Sequence, residues 1–152
     1  MPTWLMKSEP DELSIQELAR QGQARWDGVR NFQARNYLRA MQEGDLFLFY
    51  HSSCAQPGVA GIGRIVQGAY PDPSACDPQS PYHDPRTASG KNLWSAVDVA
   101  FEEAFPEVLA LSQIKLCDDL KDLPLVQKGS RLSVMPVNLE HWDTILRLAR
   151  QL

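Results

Sequence analysis

A chain of 152 residues is long enough to bury one sizeable core and short for two, and a 43% hydrophobic content with four tryptophans excludes a disordered polymer. A formal net charge of −4 excludes a surface that holds nucleic acid by uniform positive charge alone. No stretch approaches the roughly 20 apolar residues that cross a bilayer, and Met1-Pro2-Thr3-Trp4 has no signal-peptide character, so a cytoplasmic protein, or a nuclear one in a eukaryote, is expected with no membrane partner. Cys54, Cys76 and Cys117 are odd in number and far apart, which argues against a disulfide framework and a structural zinc and for a reducing compartment.

In chain order, Thr3-Trp4-Leu5-Met6-Lys7 reads as a first strand, stopped by Ser8-Glu9-Pro10-Asp11 because Pro10 disfavours helix at Glu9 and cannot donate to a ladder. Ser14 with Glu17 three residues on has capping-box spacing and predicts a short helix to Ala19. Ala24-Arg25-Trp26 predicts a brief strand ended by the turn pair Asp27-Gly28. From an N-cap at Asn31, the apolar positions 34, 37, 38 and 41 recur at helical spacing. Five arginines (20, 25, 30, 35 and 39) against Asp27 give residues 20–39 a charge of about +4, either a solvated helix face or a phosphate-facing patch.

The middle of the chain organises the rest. Leu46–Tyr50 and Gly58–Val66 are two apolar, strand-length runs joined by a seven-residue polar loop, and strands this apolar must be central. Tyr50, His51 and Ser52 then lie at the rim of a buried sheet, while Gly58, Gly61 and Gly63 leave gaps that either ease curvature or admit a ligand. Residues 70–91 carry five prolines, and a loop of that length inside a compact domain is commonly a lid or a binding element. A third long strand over residues 92–101, a weaker helix over 109–116, an edge strand over 132–137 broken by Pro136, and an amphipathic helix capped by Asn138 complete an α+β domain.

The stretches Trp4-Leu5-Met6-Lys7-Ser8-Glu9-Pro10, Trp26-Asp27-Gly28-Val29-Arg30-Asn31, Gln33-Ala34-Arg35-Asn36, Phe49-Tyr50-His51-Ser52 and Trp94-Ser95-Ala96-Val97-Asp98-Val99 together resemble the EVE domain family, in the family's order and over essentially the whole chain. The resemblance implies a single PUA-like domain over residues 1–152, a pseudo-barrel of mixed strands flanked by helices and related to YTH and ASCH domains. It further implies a pocket for a modified nucleobase flipped out of DNA or RNA.

Such a pocket needs an aromatic face to stack on and polar groups aimed at a base edge. Trp26 is the candidate face, with Tyr50, Tyr82 or Trp94 completing a cage. Lys7, Ser8, Asn31, His51 and Ser52 are the candidate donors and acceptors, Asp84 an acceptor for an exocyclic amine, and Arg30, Arg35 and Arg39 phosphate contacts. Each has a plainer reading: Asn31 as a helix cap, His51 as a satisfied core histidine, Lys7 as a neutraliser of Glu9, and Trp4, Trp94 and Trp142 as core. The competing class is a hydrolase using His51 with Ser52 or Cys54, although no oxyanion-hole signature accompanies them. His51, His83 and His141 do not assemble into a metal set, and no phosphate loop or dinucleotide glycine pattern is present, so no metal or cofactor is expected. A third class, a protein-interaction module using the proline-rich loop, requires the cavity to be closed. The expectation is a monomeric, non-enzymatic reader of a modified cytosine or adenine.

Overall fold

The computed structural model describes residues 2–152. Six strands form one mixed sheet in the order β2-β5-β4-β3-β1-β6, where β1 is Thr3–Ser8, β2 Gln23–Trp26, β3 Leu46–His51, β4 Gly58–Pro71, β5 Ser95–Ala110 and β6 Val134–Val137. The two apolar runs are central, as their composition requires, and β6 with Pro136 is at an edge, where a missing N–H costs no ladder bond. β1 runs parallel to β3, and the other pairings are antiparallel.

Among the described residues four α-helices pack around the sheet: α1 (Ile15–Gln21), α2 (Phe32–Ala40), α3 (Leu111–Lys115) and α4 (Leu139–Arg150). The caps read from sequence form, with Ser14 Oγ accepting from Glu17 N–H, Asn31 Oδ1 from Ala34 N–H and Asn138 Oδ1 from His141 N–H. Glu17 does not return the capping-box bond, because its carboxylate is bound by Arg20 and Gln21.

Both faces of the sheet are buried at its centre, which is why β3 reads as a continuous apolar run without alternation. Phe47 and Phe49 point into one cluster with Trp4, Met6, Trp26 and Leu38, and Leu48 and Tyr50 into a second with Leu5, Trp142 and Ile145. Trp26 meets Phe47 and Phe49 edge to face at 5.6 and 5.3 Å, geometry worth about 0.5–1.5 kcal/mol per pair beyond the area buried.

The largest departures from the expected boundaries lie in β4, β5 and the helix that follows them. β4 continues to Pro71 and β5 to Ala110, because the two pair along their whole length, with four register shifts that bend the pair. The expected long loop keeps its length but moves to residues 72–94, and it is ordered in part by two 3-10 turns, Pro73–Cys76 and Pro85–Ser89. Leu109 and Ala110 pair with Val59 and Gly58, which leaves only 111–115 to the expected helix. The glycine gaps are also resolved: a Cβ on Gly63 would lie 2.3 Å from the Phe47 ring, so this glycine admits a phenylalanine, not a ligand.

Candidate functional site

The parallel pairing of β1 with β3 brings their C-terminal ends together, Lys7 beside Tyr50 and Ser8 beside His51, and Ser52 N–H extends the register by donating to the Ser8 carbonyl at 2.9 Å. Trp26 ends β2 nearby. A cleft of about 630 Å³ opens among these strand ends, lined by Lys7, Ser8, Trp26, Asn31, Ser52 and Tyr82, with Arg30 on its wall. Its size falls within the roughly 300–1,000 Å³ of small-ligand pockets.

The wall opposite the strands is the 72–94 segment, held by one carboxylate. Asp72 is fully buried and accepts from Gly28 N–H, Arg30 Nη1, Ser74 N–H and Ser74 Oγ, all within 2.7–2.9 Å. Burial pushes its pKa up, yet the bonds from Ser74, Gly28 and Arg30 outweigh that and hold the carboxyl below its ordinary value. Gly28 adopts φ +78°, and a Cβ there would lie 2.8 Å from the Tyr82 ring, so the missing side chain lets Tyr82 lie against the backbone of the Trp26–Asn31 turn. The Tyr82 hydroxyl donates to Glu12, and burial followed by that carboxylate raises the pKa of the phenol.

The polar groups are more constrained than their residue types suggest. Asn31 Oδ1 is committed to the helix cap, so the side chain offers its amide nitrogen to the cleft. Ser8 Oγ donates to the Leu13 carbonyl at 2.7 Å and therefore presents lone pairs. Lys7 has no carboxylate partner among the described residues, so it does not neutralise Glu9. Its ammonium lies 5.7 Å from the Tyr50 ring centroid, and burial lowers its pKa.

Several expected members do not reach the cleft wall. Tyr50 turns into the second core cluster, because alternation puts it on the face of Leu48, and burial raises its phenol to about 12. His51 is the satisfied core histidine of the plainer reading: it is buried against Phe49, its Nε2 accepts from Ile15 N–H at 3.1 Å, and burial lowers its pKa. Asp84 binds Arg86 and receives the Trp94 indole N–H at 2.8 Å, with Arg86 first and Trp94 second in holding its carboxyl well below the usual range. It lies along a separate shallow hollow. Arg30 is tied to Asp72 and the Tyr82 carbonyl, which makes it a strut between the two walls. Arg35 and Arg39 reach outward along α2 to the Leu93 carbonyl and Ser95 Oγ. Trp26 does line the cleft but is only 6% exposed, so the flat surface is shared with the half-buried Tyr82.

Sequence reasoning overlooked Glu9, Glu12, Arg25, Asp27 and Ser133 on the same wall. Glu9 and Asp27 directly follow the named strand ends, a signal that was available. Ser133 arrives from the far end of the chain with its carbonyl accepting from Lys7 N–H at 2.8 Å, which no local pattern announces. Among the described residues, no group of three or more His, Cys, Asp or Glu side chains is arranged to hold a metal ion. Nor, among the described residues, is any helix long and apolar enough to cross a membrane.

Comparison with known proteins agrees with the architecture. A solved structure of a protein from Pseudomonas syringae is 62% identical and superposes with a TM-score of 0.95, covering 97% of this chain and 99% of that one. Human thymocyte nuclear protein 1 is 38% identical over 95% of this chain and 72% of its own length. Its structure in complex with 5-methylcytosine-containing DNA superposes with a TM-score of 0.91 at 38% identity, covering 98% of each chain. The YTH domain of a Zygosaccharomyces rouxii protein, at 15% identity and a TM-score of 0.53, shares the fold alone, which makes the present fold PUA-like. The family model for the EVE domain matches residues 2–148, and the chain belongs to the EVE domain family.

Proposed function

We propose that this EVE domain binds DNA or RNA carrying a modified base, cytosine or adenine derived, and takes that base into the cleft between the strand ends and the 72–94 segment. The observation that carries the reading is the joining of Trp26 and Tyr82 with Lys7, Asn31 and Ser52 around one cavity of about 630 Å³. Two rings supply flat surface, and the Lys7 ammonium and Asn31 amide supply donors for a carbonyl or ring nitrogen. Glu12 and Ser8 supply acceptors for an exocyclic amine. The human relative's structure with 5-methylcytosine-containing DNA supports a modified cytosine as the first ligand to test.

The domain acts by binding and not by catalysis. His51 supports this, since its Nε2 lone pair is occupied by Ile15 N–H and is not aimed at Ser52 or Cys54. Calorimetry with matched oligonucleotides, with and without 5-methylcytosine or N6-methyladenine, tests the proposal. Tighter binding of one modified strand, weakened by Trp26→Ala and partly kept by Trp26→Phe, is the expected result. Equal affinity for all strands in every variant would overturn it, and a new product in the mass spectrum would replace it with an enzyme.

A further inference from the structure

The rim beside the cleft carries a second arrangement that base reading does not use. Phe32 opens α2 one residue past Asn31 and is 50% exposed although large and apolar. Its ring stacks on Trp94 with centroids 4.9 Å apart and planes 14° from parallel, so it is held rigidly. The Arg35 guanidinium lies 4.9 Å from the Phe32 centroid, and the Arg30 guanidinium 5.3 Å from the Trp94 centroid. Arg35 is fixed by the Leu93 carbonyl and Arg39 by Ser95 Oγ, each at 2.9 Å. Among the described residues neither has a carboxylate partner, whereas six other arginines do.

In a chain of net charge −4, the unneutralised Arg35 guanidinium thus lies against a rigid, half-exposed ring, and that of Arg39, also unneutralised, is held further along α2 at the Leu93 carbonyl and Ser95. An apolar partner covering Phe32 would have to desolvate the adjacent Arg35 cation without compensation. A polyanion whose units carry π faces satisfies ring and cations together. The position is continuous with the proposed site, since Asn31 lines the cleft and Phe32 is its neighbour.

We propose that Phe32, Arg35 and Arg39 form a strand-tracking platform, on which the base next to the one in the cleft stacks on Phe32 while the adjoining phosphates lie against Arg35 and Arg39. The proposal rests on the nucleic-acid reading above and deepens it. Affinity common to all sequences comes from α2, and discrimination of the modification comes from the cleft. Arg30 contributes to neither phosphate contact, because Asp72 holds it.

Anisotropy with fluorescent single-stranded oligonucleotides, modified and unmodified, between about 50 and 200 mM salt, separates these parts. Phe32→Ala is expected to weaken binding roughly 5- to 150-fold for both strands, the range that one lost base stack implies, with Phe32→Tyr restoring it and the modified-to-unmodified ratio unchanged. The double variant Arg35→Gln, Arg39→Gln is expected to flatten the slope of log affinity against log salt by about 1.4, two single-strand phosphate contacts. Near-unchanged affinity in Phe32→Ala, or an unchanged salt slope in the double variant, overturns the platform even where discrimination persists. A changed oligomeric state of Phe32→Ala with intact oligonucleotide binding also overturns it and assigns the face to a second copy. Loss of common affinity in a protein that never discriminated would uphold the platform and sink base reading instead.

Discussion

The two walls of the cleft are built by opposite means. One wall is the joined ends of β1, β2 and β3, fixed by a sheet whose side chains are buried on both faces. The other is the irregular 72–94 segment, which carries few apolar side chains, is tied across the cleft by Gly28 N–H and Arg30 to Asp72 and by Arg30 to the Tyr82 carbonyl, and is braced internally by Ser74 on Asp72. Apolar burial is non-directional and spreads over many contacts shared by the whole core, so emptying one large buried site lowers the stability of the entire domain. A buried carboxylate concentrates its effect in a few directed bonds, and losing it leaves donors unsatisfied. Strand-wall variants should therefore threaten the whole fold, and Asp72 variants should unseat the cleft.

The largest expected effect is on the strand wall. Phe49→Ala empties a fully buried site between Trp26 and His51 and should cost about 3–5 kcal/mol by urea unfolding. A cost below about 1 kcal/mol would mean that the β3 core is loosely packed. Next is Asp72→Ala, which leaves the partly exposed Arg30 and the Gly28 N–H without their acceptor, at about 2–3 kcal/mol. Here affinity for the preferred oligonucleotide should fall even at temperatures where circular dichroism shows an intact fold. Unaltered affinity would show that the irregular wall takes no part in the site.

A smaller, pH-dependent effect comes from His51. Its folded pKa lies below the ordinary 6.5, so the unfolded chain binds the proton more readily. Stability is complete above about 6.5 and falls as pH drops below it, by at most about 1.4 kcal/mol per pH unit. His51→Gln should remove this histidine's share of the slope in denaturant midpoints between about pH 6.5 and 5. An identical slope in both proteins would contradict the buried, accepting imidazole. The smallest expected effect is Tyr82→Phe, which loses only the exposed bond to Glu12 and should shift stability by no more than about 0.5 kcal/mol. Retained modified-base affinity in that variant, with loss in Tyr82→Ala, would identify the ring and not the hydroxyl as the working part.

Legibility in the sequence followed the same division. Strand and helix positions, the three Asx and Ser caps and the edge placement of Pro136 could be read locally, because apolar periodicity and cap chemistry act over a few residues. Of the expected cleft, Lys7, Ser8, Trp26, Arg30, Asn31, Ser52 and Tyr82 do converge. Tyr50 and His51 were misplaced for one reason: they close β3 on opposite faces that are both buried, and an apolar run does not say which face turns to a cavity. Arg30 carried the right charge for a phosphate, but its carboxylate partner lies 42 positions away at Asp72.

What the sequence by itself determined was the set of elements and the family, since both rest on local patterns and on motifs in a fixed order. Tertiary structure alone decided which polar groups remain free. Whether an arginine, histidine or asparagine faces a ligand or serves the fold depends on partners brought from distant positions: Ile15 to His51, Asp72 to Arg30, Ser95 to Arg39. A hydrogen-bonding group satisfied inside the protein has little left to offer outside it, and that account closes only when the whole chain is folded.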